Sequence, residues 1–97
     1  MEVNFKDKTL ELLETDQAPE TGFSEALIKS CRRKLNLLRN APDERTLRNW
    51  KSLHYEKLKG DREGQRSIRL NDQWRMILLL DTSVPPKIMV LAVEDYH

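Results

Sequence analysis

Thiols are almost missing from this chain. Cys31 is the only cysteine among 97 residues, which excludes an internal disulfide and a zinc site built from several cysteines. Histidine is scarce as well: only His54 and His97 occur, so neither a structural metal nor a cofactor is expected. No run reaches the roughly 18 consecutive apolar residues needed to cross a bilayer. The opening Met-Glu-Val-Asn-Phe-Lys lacks a basic start followed by an apolar stretch, so nothing marks it for secretion and the cytoplasm is the expected compartment. Hydrophobic residues make up only 38% and aromatics 6%. A chain of this size and composition has material for one modest core, hence one domain over residues 1–97.

Net charge is also nearly missing, at +1, but its distribution is uneven. Residues 1–28 carry 2 basic and 7 acidic side chains, residues 29–75 carry 14 and 6, and residues 76–97 carry 1 and 3. The near-neutral total thus conceals a basic middle flanked by acidic ends, a pattern that suits a nucleic-acid partner.

The first half reads as helical. Leu10 and Leu13 share one side of a segment over Lys6–Glu14, and Pro19 and Gly22 then break the pattern. Ser24 is a fitting N-cap for a second helix, in which Leu27, Ile28, Cys31, Leu35 and Leu38 fall on one apolar face. Arg32, Arg33 and Arg39 occupy the remaining face; a solvated surface is the ordinary reading of such residues, and phosphate contact the functional one. Ala41-Pro42 ends this helix, and Asp43 caps a short third one carrying Leu47 and Trp50.

The second half changes period. Ser67–Leu70, Trp74–Leu80 and Lys87–Glu94 are rich in branched and aromatic residues and bounded by turn formers, with a weaker strand candidate around Leu53–Leu58. Antiparallel pairing is expected throughout. A three-residue turn, Asn71-Asp72-Gln73, places Ile68, Leu70, Trp74, Met76, Leu78 and Leu80 on one face, whereas a two-residue turn would scatter polar groups among them. In this register Arg69 faces Arg75. Like charges directly opposite repel, so an anion lying over the pair is a natural explanation.

Three short stretches carry the specific signal: Leu58-Lys59-Gly60-Asp61-Arg62-Glu63-Gly64, then Ser67-Ile68-Arg69-Leu70-Asn71 leading to Trp74-Arg75, and finally Glu94-Asp95-Tyr96-His97. In this order and spacing they resemble the HigB toxins, a branch of the RelE-like ribosome-dependent ribonucleases of bacterial toxin–antitoxin modules. The resemblance covers residues 52–97 well and the helical first half more loosely. It implies an α+β fold with N-terminal helices packed on a small twisted antiparallel sheet, and cleavage of mRNA in the ribosomal A site. It also implies the ribosome, mRNA and a HigA-like helix-turn-helix antitoxin as partners, with DNA reached only through that antitoxin.

Cutting RNA by attack of its own 2′-OH needs a base, cations for the phosphorane charge, and an acid for the departing 5′-oxygen. Histidine suits proton transfer near neutral pH. The family positions therefore assign His54 and His97 to acid–base work, with Asp95 and Tyr96 orienting His97 or sharing the transfer. Lys59 and Arg75 are assigned to the scissile phosphate, with Arg69 as a supporting cation. Lys57, Arg32 and Arg33 are further candidates for RNA contact, and no metal ligand is expected. The chain departs from the family pattern in three places. Arg66 replaces an aromatic and falls on the apolar side by alternation, about two extra residues separate His54 from Lys59, and the Asp81–Pro86 connection is long. A relative that keeps the scaffold as an RNA- or protein-binding module with little catalytic rate is the competing reading.

Overall fold

The longest element, α2 (Glu25–Asn40), follows from its ends and its pattern. The Ser24 hydroxyl accepts the Leu27 amide at 3.1 Å, and Ala41, restrained by Pro42, leaves the helix with extended angles. Leu27, Ile28, Cys31, Leu35 and Leu38 are all buried, as the three- and four-residue spacing requires. Asp43 caps α3 (Glu44–Asn49) by accepting from the Thr46 amide at 3.0 Å, and Leu47 is its fully buried side chain.

The computed structural model describes residues 1–95, an α+β fold in which these helices pack on a five-stranded sheet. Its strands are β1 (Glu2–Phe5), β2 (Glu56–Lys57), β3 (Gln65–Arg69), β4 (Trp74–Asp81) and β5 (Lys87–Asp95), in the order β1-β5-β4-β3-β2. The sheet is mixed rather than wholly antiparallel, because β1 runs parallel to β5 with Val3 opposite Ile88. A four-residue edge strand carries little local signal. It is fixed instead by distant partners, including the Met1 ammonium, which donates to the carbonyls of Leu38 and Ala41 at the end of α2. A positive charge at a helix C-terminus is favourable.

The first helical segment is shorter than its apolar pattern suggests: α1 spans Lys8–Glu11, and Leu12–Glu14 is a 3-10 turn. Likewise the strand candidate over Leu53–Leu58 reduces to β2, preceded by a 3-10 turn at Lys51–Leu53.

The β3–β4 turn is the three-residue one. Asn71 Oδ1 accepts the amides of Gln73 and Trp74 at 2.8 and 2.7 Å, and Ile68 pairs with Met76 and Arg69 with Arg75. Ile68, Leu70, Met76 and Leu78 join Ile88, Val90 and the apolar face of α2 in one buried cluster. Trp74 is half-buried at its margin, edge-on to Phe23 with centroids 5.6 Å apart. Buried Ser30 of α2 donates to the Leu70 carbonyl at 2.6 Å, tying the helix to the end of β3.

Candidate active site

The face of the sheet turned away from α2 holds the polar residues. Register places Arg69, Arg75 and Glu94 in one row across β3, β4 and β5, with Ser67, Ile77 and Ala92 in the next. Arg75 is buried, with only 7% of its surface exposed. Its Nε donates to Ser67 Oγ at 3.0 Å and its Nη2 to the His54 carbonyl. A guanidinium this deep is acceptable because its donors are matched by fixed oxygens and a carboxylate, Glu94, stands opposite it.

His54 follows the Lys51–Leu53 turn and adopts a left-handed conformation, with φ 47° and ψ 51°. That conformation costs a non-glycine residue on the order of 1 kcal/mol or more. The Arg75 bond to its carbonyl offsets the cost and holds this backbone turn against the sheet. Arg69 Nη1 lies 3.4 Å from His54 Nε2. A guanidinium only donates, so a hydrogen bond in this contact has Nε2 as its acceptor. Arg69 also pairs with Asp72 in the turn.

The turn Gly60–Arg62 folds back toward the same row, where Arg62 pairs with Glu94. Gly60 and Gly64 permit this reversal, with φ of 67° and 92° that side-chain-bearing residues rarely adopt. The repulsion between Arg69 and Arg75 is therefore compensated inside the protein, by Asp72 and Glu94, and needs no outside anion.

Several of the candidate residues stand outside this row. Glu94, not Asp95, is the carboxylate beside these cations. Asp95 pairs with Trp74 in register, so alternation turns it to the helix side, where its carboxylate accepts from Gln73 Nε2 at 2.8 Å. Lys57 pairs with Arg66, which also puts it on the helix side, away from Arg75. Lys57 and Lys59 instead line an open depression of about 530 Å³ at the sheet edge, together with Arg66. Arg32 serves the fold, donating to the carbonyls of Leu13 and Thr15 at 2.7 and 2.9 Å and so anchoring the N-terminal turns on α2. Arg33 is exposed on α2. Tyr96 and His97 lie outside the described residues.

Arg66 resolves its awkward position through a partner on α3. Glu44 Oε2 accepts from Arg66 Nε at 3.2 Å and from the Tyr55 hydroxyl at 2.6 Å. Burial works against the Glu44 carboxylate, but these hydrogen bonds and the charges of Arg66 and Arg48 outweigh it and hold its pKa below the usual range. Burial, then the hydrogen bond and charge of Glu44, push the Tyr55 hydroxyl upward. Because Tyr55 adjoins His54, this cluster ties the two-residue lengthening of the chain to α3.

Arg62 and Glu94 are members of the site that sequence reasoning missed. Strand alternation sets Ser67 on the face of Arg69 and Arg75, and the structure adds its bond to Arg75. Glu94 was not countable, because the β4–β5 register shifts at a bulge between Ile77 and Leu78.

A family described as RelE-like toxin of the type II toxin–antitoxin system HigB matches residues 3–94. The chain belongs to the HigB-like toxin family. No curated protein matches it at a significant level. Among solved structures, the YoeB/ParE toxin from Agrobacterium tumefaciens is 21% identical over 100% of both chains, with a TM-score of 0.62. YafQ from E. coli strain BL21(DE3) is 13% identical, covering 97% of this chain and 91% of its own, with a TM-score of 0.65. The toxin in a heterotetrameric YoeB-YefM complex from Staphylococcus aureus is 20% identical over 100% of this chain and 97% of its own, at 0.62. At such identities the likeness establishes the shared α+β fold. The toxin has no helix among its described residues that is long and apolar enough to cross a membrane.

Proposed function

We propose that the toxin is a ribosome-dependent endoribonuclease that cleaves mRNA in the A site. The observation that carries this reading is the placement of His54 Nε2 against the Arg69 guanidinium on a sheet face backed by Arg75. A base and a cation side by side are what attack by a 2′-OH requires. His54 removes the hydroxyl proton, and the 2′-oxygen bonds to phosphorus. Arg69, released from Asp72, stabilises the added charge on the phosphoryl oxygens, with Lys59 as a second cation at the sheet edge. His97, with Tyr96 beside it at the end of the chain, protonates the leaving 5′-oxygen. The products are a 2′,3′-cyclic phosphate and a 5′-hydroxyl. Arg75 positions His54 rather than touching phosphate.

The toxin's proposed partners are the ribosome, mRNA and a HigA-like helix-turn-helix antitoxin, in the cytoplasm. The antitoxin partnership draws on family membership and on the YoeB-YefM complex.

A second reading, an RNA- or protein-binding module with little rate, is favoured by one observation: Arg75, a cation assigned to phosphate by resemblance, is buried and already engaged. Toeprinting on translating ribosomes separates the two. Wild-type toxin should cut within the A-site codon, and His54→Ala and Arg69→Ala should each lower the rate roughly 100- to 10,000-fold. Cleavage unchanged by either substitution removes the mechanism, and its absence from wild-type toxin leaves the binding module.

A further inference from the structure

Most large apolar side chains of the toxin are covered, but Trp50 at the end of α3 is 48% exposed. It forms one wall of an open cleft of about 270 Å³ between α3 and the second half of α2, whose other walls include Arg33, Asn36, Leu37 and Asn40. The position follows from helix geometry. Thr46 and Trp50 stand four residues apart on one side of α3, whereas Arg45 and Arg48 project from another. The indole N–H enters no hydrogen bond among the described residues, and neither does the guanidinium of exposed Arg33.

Local charge selects the class of occupant. Arg33 lines the cleft and is exposed, and Arg48 and Lys51, close to Trp50 in sequence, are exposed as well. The carboxylates nearest in sequence are occupied elsewhere, Glu44 with Arg66 and Tyr55, Asp43 with the Thr46 amide and hydroxyl. An acidic or neutral peptide would be served by an apolar groove with a few charges at its rim. Here one flat aromatic surface is flanked by two amides and the Arg33 guanidinium, an arrangement that accepts a base on its π-face and a phosphate beside it.

We propose that the Trp50 cleft is a second RNA subsite, separate from the His54 face, in which one unpaired nucleotide stacks on the indole while Arg33 holds its phosphate. Asn36 or Asn40 meets the edge of the base. The inference rests on the reading of the toxin as a protein that works on RNA, but not on its cleaving RNA.

The two tryptophans are separable, because Trp74 packs against Phe23 at the core margin. In a Trp74→Phe background, checked for folding by circular dichroism, fluorescence reports Trp50 alone. Titration with a single-stranded adenosine decamer at low salt should quench it, and a decamer of equal charge lacking bases should not. Trp50→Ala should weaken binding of the base-bearing decamer, followed by anisotropy of a labelled strand, roughly 10- to 100-fold. Arg33→Glu should weaken both decamers. Equal quenching by the two decamers, or unchanged affinity in Trp50→Ala, overturns the proposal, and so does an indole that responds only to an antitoxin protein. Since the titration contains no ribosomes, its outcome is independent of A-site cleavage, which His54→Ala tests.

Discussion

Replacing Arg75 by Met keeps a stem of similar length in the sheet and removes the guanidinium, which makes it a sharp test of the positioning role. Two close hydrogen bonds from a charged donor disappear, to Ser67 Oγ and to the His54 carbonyl, along with a longer one to the Ser67 carbonyl at 3.4 Å. Each close bond is worth about 1.5–3 kcal/mol when the donor is charged. Relief of the facing Arg69 returns at most about 1 kcal/mol, and the methionine stem adds a little apolar packing. The losses win, leaving a net destabilisation of about 2–4 kcal/mol, a large share of the roughly 5–15 kcal/mol that holds a typical domain together. For a chain near this length the melting temperature should fall by roughly 8–30 °C. Thermal unfolding followed by circular dichroism measures the shift, and toeprinting on the same sample below its transition should show cleavage lost as His54 is released. If Arg75 instead waits for phosphate, Arg75→Met should melt with or above wild type while losing cleavage. That result would refute the positioning role.

Three further outcomes follow from the geometry. His54→Gly should be about 1 kcal/mol more stable than His54→Ala in urea denaturation, because only glycine adopts the left-handed angles freely; equal stability would mean the backbone relaxes. Cys31 is fully buried and its thiol is pushed up to about 12 by burial, opposed slightly by a backbone hydrogen bond; it should resist a thiol reagent at neutral pH and react when the chain is unfolded in denaturant. The Glu44 carboxyl is held below its ordinary range in the folded toxin, so its contribution to stability is present above that range and lost as pH falls through the folded value. Glu44→Gln should therefore flatten the acid side of the stability profile, and a profile parallel to wild type would contradict the assignment.

Local pattern determined a good deal about this protein by itself. The apolar spacing of Leu27, Ile28, Cys31, Leu35 and Leu38 forces an amphipathic helix, Ser24 and Pro42 set its limits, and an Asx turn at Asn71 fixes the register that brings Arg69 opposite Arg75. These features depend on a few neighbouring residues, so they can be counted along the chain. What tertiary structure decided depends on segments far apart in sequence. A parallel strand at Glu2–Phe5 exists because β5 and the end of α2 receive it. Arg75 is buried and engaged because the carbonyl of His54, 21 residues away, arrives above it. Glu94 takes the place beside the cations, and Asp95 does not, because one extra residue in a bulge resets which carboxylate faces them. Burial, and the register across the β4–β5 bulge, are properties of the assembled sheet, and the motif that names the family carries neither.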